Sequence, residues 1–254
     1  MDIETLFDEN EKPLDRIVSD GGFTKIFRTI GCIGDSLSSG EFECVDKDMN
    51  KSYHDFYEYS WGQFIARTCG SNVYNFSRGG MTGEWFMDAA HGWGWFDCSK
   101  RAQAYIFALG VNDLYGRKFP VGTVNDRMED KTFAGWYIEI IRRYREIQPQ
   151  AKFFLMTMVH TGDKDTDAVA DAHAELLYKI AEKFDNTYII DLCKYGPIYD
   201  EFFKSKFYLH GHLNPMGYEL TARMVMSYID YIIRHNMDDF KHVGLIGTGI
   251  EDVD

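Results

Sequence analysis

A chain of 254 residues with a formal net charge of −13 has the length of one α/β domain and the wrong sign for nucleic acid, whose phosphates call for clustered Lys and Arg. No apolar run reaches the length of a membrane span, and the acidic start MDIETLFDENEKPLDR lacks a signal-peptide pattern. The five cysteines (Cys32, Cys44, Cys69, Cys98 and Cys193) are odd in number and without a CxxC pair, so they read as reduced thiols and the expected address is cytoplasmic.

In chain order, residues 1–26 read as a polar extension lying on the surface of a single domain spanning 1–254. Short apolar runs then follow at Phe27–Ile33, Val73–Phe76, Tyr105–Leu109, Lys152–Val159 and Thr187–Leu192. Runs of this length, apolar on both faces, predict buried parallel strands. The polar, aromatic segment Glu41–Tyr59 reads as a long loop leading into a helix around Trp61–Thr68. Phe133, Trp136, Tyr137, Ile140, Ile141, Tyr144 and Ile147 form one helical stripe that Pro149 ends. Val169, Ala172, Leu176, Leu177, Ile180 and Phe184 form a second, and Leu220, Met224, Tyr228 and Ile232 a third. Residues 243–254 form a tail. Strands alternating with helices predict an α/β fold with a central, mainly parallel sheet and helices on both faces.

Four segments stand where strands or their connections end: Gly34-Asp35-Ser36-Leu37, Ser77-Arg78-Gly79-Gly80, Gly110-Val111-Asn112-Asp113 and His210-Gly211-His212-Leu213-Asn214. In a parallel sheet all four converge on one edge, where open α/β folds bind ligands. Each suits acyl transfer. Ser36 is a nucleophile that needs a base, and His212 supplies one. The backbone N–H groups of Ser36 and Gly80, with the Asn112 amide, can hold an oxyanion. Any one of these motifs alone is an ordinary turn or helix cap; their order and joint placement favour a catalytic assembly.

These blocks resemble those of the SGNH (GDSL) hydrolases, an esterase/lipase family, and cover residues from about 30 to 220. The resemblance implies a flavodoxin-like three-layer α/β/α sandwich with about five parallel strands. It also implies a serine esterase with an acyl-enzyme on Ser36, His212 as base, an oxyanion hole of Ser36, Gly80 and Asn112, and no cofactor or metal. One position departs: the family's Asp three residues before the histidine is Leu209 here. Three readings stay open. A backbone carbonyl orients His212, a carboxylate from elsewhere does so (Asp191 or Asp200), or the enzyme is impaired and the chain is an SGNH-fold carbohydrate-binding protein. Asp35, Trp93, Trp95, Asp113, His160 and His210 are expected to line the substrate. The segments Trp85–Trp95 and Tyr115–Arg127 frame the entrance, with Gly92–Trp95 as a mobile aromatic lid. A metal site drawn from His210, His212, Asp35 and His160 is not supported, because these residues show no ligand spacing. The expected partner is a small-molecule ester, a short acyl group on a metabolite or an acetylated sugar, with neither nucleic acid nor membrane involved.

Overall fold

The computed structural model describes residues 3–250 and 252. The outermost parts of the expected extension (1–2) and tail (251, 253–254) lie outside the described residues. Five strands, β1 (Thr29–Gly34), β4 (Asn72–Ser77), β5 (Ala104–Ala108), β6 (Lys152–Met156) and β7 (Thr187–Ile190), form one sheet in the order β4-β1-β5-β6-β7. All its pairings are parallel. Outside this sheet lie two further pairs, an antiparallel hairpin of β2 (Glu41–Val45) with β3 (Lys51–Asp55) between β1 and β4, and a short one of β8 (Tyr208–Leu209) with β9 (His212–Leu213) after β7.

Helices cover both faces of the sheet, giving the three-layer α/β/α sandwich. On one face α3 (Gly83–Ala89), α4 (Phe133–Ile147) and α5 (Lys164–Lys183) bury Phe86, Tyr137, Ile141 and Leu177 against Phe107 and Phe153. On the other, α2 (Trp61–Cys69) and α8 (Pro215–His235) bury Ile65, Val225 and Ile229 against Ile30, Ile106 and Phe154. Local chemistry sets the helix starts. The Thr132 hydroxyl accepts from Gly135 N–H at 3.1 Å to open α4, and the Asn214 side chain accepts from Gly217 N–H at 3.0 Å, with Pro215 in the first turn, to open α8.

Two expectations need correcting. The segment Glu41–Tyr59 is not a loop throughout: it contains the β2–β3 hairpin, closed by the Asp46 side chain accepting from Asp48 and Asn50 N–H groups. The other concerns detail: the N-terminal extension is not loose on the surface. It is tied along α8 by Val18 N–H to Ser227 Oγ (3.0 Å), Phe23 N–H to Asp230 Oδ1 (2.8 Å) and the buried ion pair of Arg234 with Glu11 (2.6 Å). Among the described residues, no helix is long and apolar enough to cross a membrane.

β1 lies between β4 and β5, so the chain leaves it for opposite sides of the sheet. That switch point opens a crevice beyond the carboxyl ends of the strands, and the loops after β1, β4 and β5 carry the first three motifs.

Candidate active site

Ser36 is the first residue of the one-turn helix α1 (Ser36–Ser39), directly after β1. Asp35 caps that turn: its Oδ1 accepts from Leu37 N–H at 3.0 Å. The first amide of a helix has no intrahelical acceptor, so Ser36 N–H remains to serve the space beyond the sheet. Gly80 follows β4 with φ of +73°, a left-handed conformation that favours glycine, and a Cβ there would meet nothing within 4 Å. Asn112 follows β5, and its Nδ2 donates to Met81 O at 3.1 Å and to Asp35 Oδ2 at 3.3 Å.

His212 enters from β9, which packs against α1 and β2. The Tyr218 hydroxyl, buried beneath, donates to Glu41 O at 2.6 Å and lies 3.4 Å from Ser36 O, tying the serine turn to the hairpin. The structure contains no hydrogen bond between Ser36 and His212 among the described residues. Both ring nitrogens instead face carboxylates. Nε2 lies 3.1 Å from Glu41 Oε1, and Nδ1 lies 3.6 Å from Glu43 Oε2. Nδ1 is buried without a hydrogen-bond partner, and a movement of a few tenths of an ångström would close the gap to Glu43. The Tyr53 ring meets the imidazole edge-on at 5.8 Å.

Glu43 is held as a cradle would hold it. Lys51 Nζ lies 2.7 Å from Oε1, and Gly211 N–H donates to Oε2 at 3.1 Å. A Cβ on Gly211 would fall 2.2 Å from that oxygen, so only glycine admits the carboxylate so close to the turn. The Lys51 hydrogen bond lowers the Glu43 carboxyl below its ordinary value, despite burial. Burial pulls the His212 imidazole down, but the hydrogen bond to Glu41 and the charges of Glu41, Glu43 and Asp35 outweigh it and leave its pKa raised. Asp35 is pushed up to about 7, chiefly by burial, and Asp113 to about 6 for the same reason.

The remaining expected residues sort by position. Asp113 is buried, with Oδ1 accepting from Gly83 N–H at 2.9 Å, a link between the β5 loop and α3. His210 is exposed at the tip of the β8–β9 hairpin with φ of +56°. Asp191 and Asp200 do not orient His212. Asp191 caps α6 (Leu192–Tyr195) and accepts from the Tyr178 hydroxyl at 2.8 Å, while Asp200 caps α7 (Glu201–Phe207) through Phe203 N–H. His160 is likewise engaged elsewhere, 2.9 Å from Asp171 Oδ1 and 3.2 Å from the Cys193 thiol. Trp95 is core, packed on Phe86 and Phe76, which anchors the C-terminal end of Gly92–Trp95; Trp93 is exposed, meets Trp85 and Trp95 edge-on, and has the Arg78 guanidinium over its ring.

Sequence reasoning missed Glu41 and Glu43. The available signal was their spacing: in a strand, positions two apart share a face, and here that face meets His212.

A cavity of about 80 Å³ lies beneath the crevice, lined by Asp35, Leu37, Val111, Met158 and Leu213 among others. A larger hollow of about 430 Å³ around Lys152 and Asn186 opens at the amino ends of β6 and β7, away from all four motifs.

A family model described as GDSL-like Lipase/Acylhydrolase family matches residues 32–220, the stretch that holds all four motifs. No curated protein matches the sequence. Among solved structures, the chain is similar to a family two carbohydrate esterase from Clostridium thermocellum in complex with cellohexaose, with TM-score 0.60 and 16% identity over 84% of this chain and 65% of that one. It is similar also to a putative lipolytic protein of the G-D-S-L family from Desulfitobacterium hafniense (TM-score 0.53, 16% identity, 79% and 99% covered). An acetyl xylan esterase, AlAXEase, gives TM-score 0.55 at 17% identity, with 79% and 99% covered. At these identities the structures speak for the fold.

Proposed function

The chain belongs to the GDSL-like lipase/acylhydrolase family, and on that premise we propose that it is a serine carboxylic ester hydrolase with Ser36 as nucleophile, His212 as base and Glu43 as the acid that orients the base. The observation that carries this reading is the buried Glu43 carboxylate facing His212 Nδ1 at 3.6 Å. It stands in for the acid that Leu209 cannot provide, and so weakens the reading of an impaired binding protein, which rests on Leu209.

In the reaction, the Ser36 hydroxyl attacks the ester carbonyl while His212 Nε2 takes its proton. The oxyanion is held by the N–H groups of Ser36 and Gly80 and by the Asn112 amide. His212 then returns the proton to the leaving alkoxide, and water repeats the sequence on the acyl-enzyme. Glu43 fixes the ring and stabilises its cationic form. For the first step Nε2 must leave Glu41 and lose its proton to solvent, the neutral ring keeping its proton on Nδ1 towards Glu43, so Glu41 is a resting partner of the base. A cavity of about 80 Å³ lined in part by Leu37, Val111 and Leu213, flanking the serine turn, supports a short acyl group over a long chain.

Hydrolysis of p-nitrophenyl acetate and of longer-chain esters tests the proposal. Wild type should release nitrophenol, fastest from the short esters, and Ser36→Ala should abolish release while leaving the thermal transition intact. Release by Ser36→Ala near the wild-type rate would remove the nucleophile.

A further inference from the structure

Glu41 has a place in the reaction beyond capping the base. Its side chain is 12% exposed, with Oε1 3.1 Å from His212 Nε2. Its other oxygen lies against the loop that carries Gly80: a Cβ on Gly79 would come within 2.0 Å of Oε2, so the carboxylate occupies room that only a glycine leaves. The carboxylate therefore sits between the proposed oxyanion loop and the nitrogen that transfers the proton.

That nitrogen locates the leaving group. The leaving oxygen must approach Nε2 to within hydrogen-bond distance, about 3 Å, to be protonated. The leaving oxygen then takes the place at Nε2 that Glu41 Oε1 holds at rest, and the alcohol portion of the ester lies beside the carboxylate. An ionised carboxylate only accepts hydrogen bonds. An alcohol without a donor would seal the buried carboxylate against apolar atoms, at the cost of an unpaired charged group. An anionic alcohol would be repelled, in the same sense as the net charge of −13. A hydroxyl on the carbon adjacent to the ester-bearing carbon solves the problem, because it lies three bonds from the leaving oxygen and can donate to Glu41.

We infer that Glu41 forms a leaving-alcohol subsite, and that the enzyme takes esters of vicinal diols, the arrangement found in polyols and sugars. This rests on the proposed roles of Ser36 and His212. When such an alcohol binds, its hydroxyl replaces His212 as the partner of Glu41. Nε2, no longer held by the carboxylate, gives its proton to solvent and turns to Ser36 with the remaining ring proton on Nδ1 facing Glu43, so the correct substrate itself releases the base.

The test compares 2-hydroxyethyl acetate with 2-methoxyethyl acetate, which carries the same oxygen without the donor, and with acetylcholine, which carries charge without an N–H or O–H. Wild type should prefer the hydroxyethyl ester by about ten- to a hundredfold in kcat/KM, the scale of one hydrogen bond to a charged group. Glu41→Ala should bring the ratio of the two neutral esters close to unity. Gly79→Ala, which crowds the carboxylate without removing it, should lower the ratio as well and serves if Glu41→Ala does not fold. A ratio near unity in wild type, with Ser36-dependent hydrolysis of both esters, would overturn the subsite and leave the esterase standing. Preference for acetylcholine would show that Glu41 reads charge and would overturn the diol class. Failure to hydrolyse any ester would overturn the esterase and this subsite with it.

Discussion

Replacing Glu43 by Gln removes a charge and keeps a shape, which makes it the sharpest test of how the base is oriented. At 3.6 Å from Nδ1, a full carboxylate–imidazolium pair is worth about 4.6 kcal/mol at an effective dielectric of about 20 and about 1.2 kcal/mol in bulk water. The Glu43 side chain is 4% exposed and that of His212 15%, which favours the upper part of that range, while Lys51 on the other oxygen offsets some of it. A loss of about 3 kcal/mol in the transition state, where the imidazole is cationic, corresponds to roughly a hundredfold in kcat. KM should change little, because the neutral ground-state ring depends less on the charge. The pH profile gives an independent reading. His212 works as a base only when neutral, so activity rises with pH through its pKa. Glu43 is one of the groups that hold that pKa up; without its charge, the acid limb should move to lower pH. Stopped assays of p-nitrophenyl acetate hydrolysis from about pH 5 to 9, bracketing the ordinary histidine range, with thermal melting to check the fold, decide the matter. A Glu43→Gln enzyme with kcat within about twofold of wild type and an unmoved acid limb would refute the orienting role.

Three further outcomes follow from the same geometry. Leu209 and His212 are directly opposed across the β8–β9 pair, and opposed residues share a face. Leu209→Asp should therefore recover part of the turnover lost in Glu43→Ala, and its failure to do so at any pH would show that Nδ1 is out of reach from 209. Asn112→Ala should lower kcat by about two to three powers of ten, the scale of one oxyanion donor; an unchanged kcat would remove Asn112 from the hole. Asp35, held up near 7 by burial, costs stability as pH rises from the ordinary carboxylate range towards 7. His212, with its raised pKa, also gives up stability as pH rises. Asp35→Asn keeps the helix cap, and should shrink the fall in melting temperature between about pH 5 and 8 by about 5 °C. An identical fall in the variant would show that Asp35 is ionised without penalty.

The parallel sheet was legible because its strands are short, apolar on both faces and separated by striped helices. All five expected runs became strands, with ends shifted by a few residues, as for Phe27–Ile33 against Thr29–Gly34. The serine, glycine and asparagine motifs were legible for the same reason: each abuts a recognisable strand. What was not legible depends on contacts distant in the chain. Glu43 binds Gly211 across 168 positions, and its strand has no apolar run to announce it, since its partner β3 is exposed along its whole length. Asp191 and Asp200 look suitable because they follow the last strand of the sheet. Each is instead used by the backbone of the helix it begins, the commoner task for an aspartate in that position.

The position of the missing acid has a structural consequence. An acid at position 209 would stand on the same hairpin as His212, opposite it across the β8–β9 pair. Here His212 stands on β9 and Glu43 on β2, so the two face each other only where the two hairpins dock. Gly211, in the β8–β9 turn, admits Glu43, and Gly79, in the loop after β4, admits Glu41; a Cβ at either would strike a carboxylate oxygen. The β2–β3 hairpin thus brings two carboxylates to opposite nitrogens of one ring. Glu43 lies on the side away from chemistry, where a permanent charge helps. Glu41 lies on the side where the proton moves, where a permanent bond would hinder it. On the proposed mechanism the carboxylate in that second place must give way when substrate binds, which would make the specificity of the site and the activation of its base two effects of one residue.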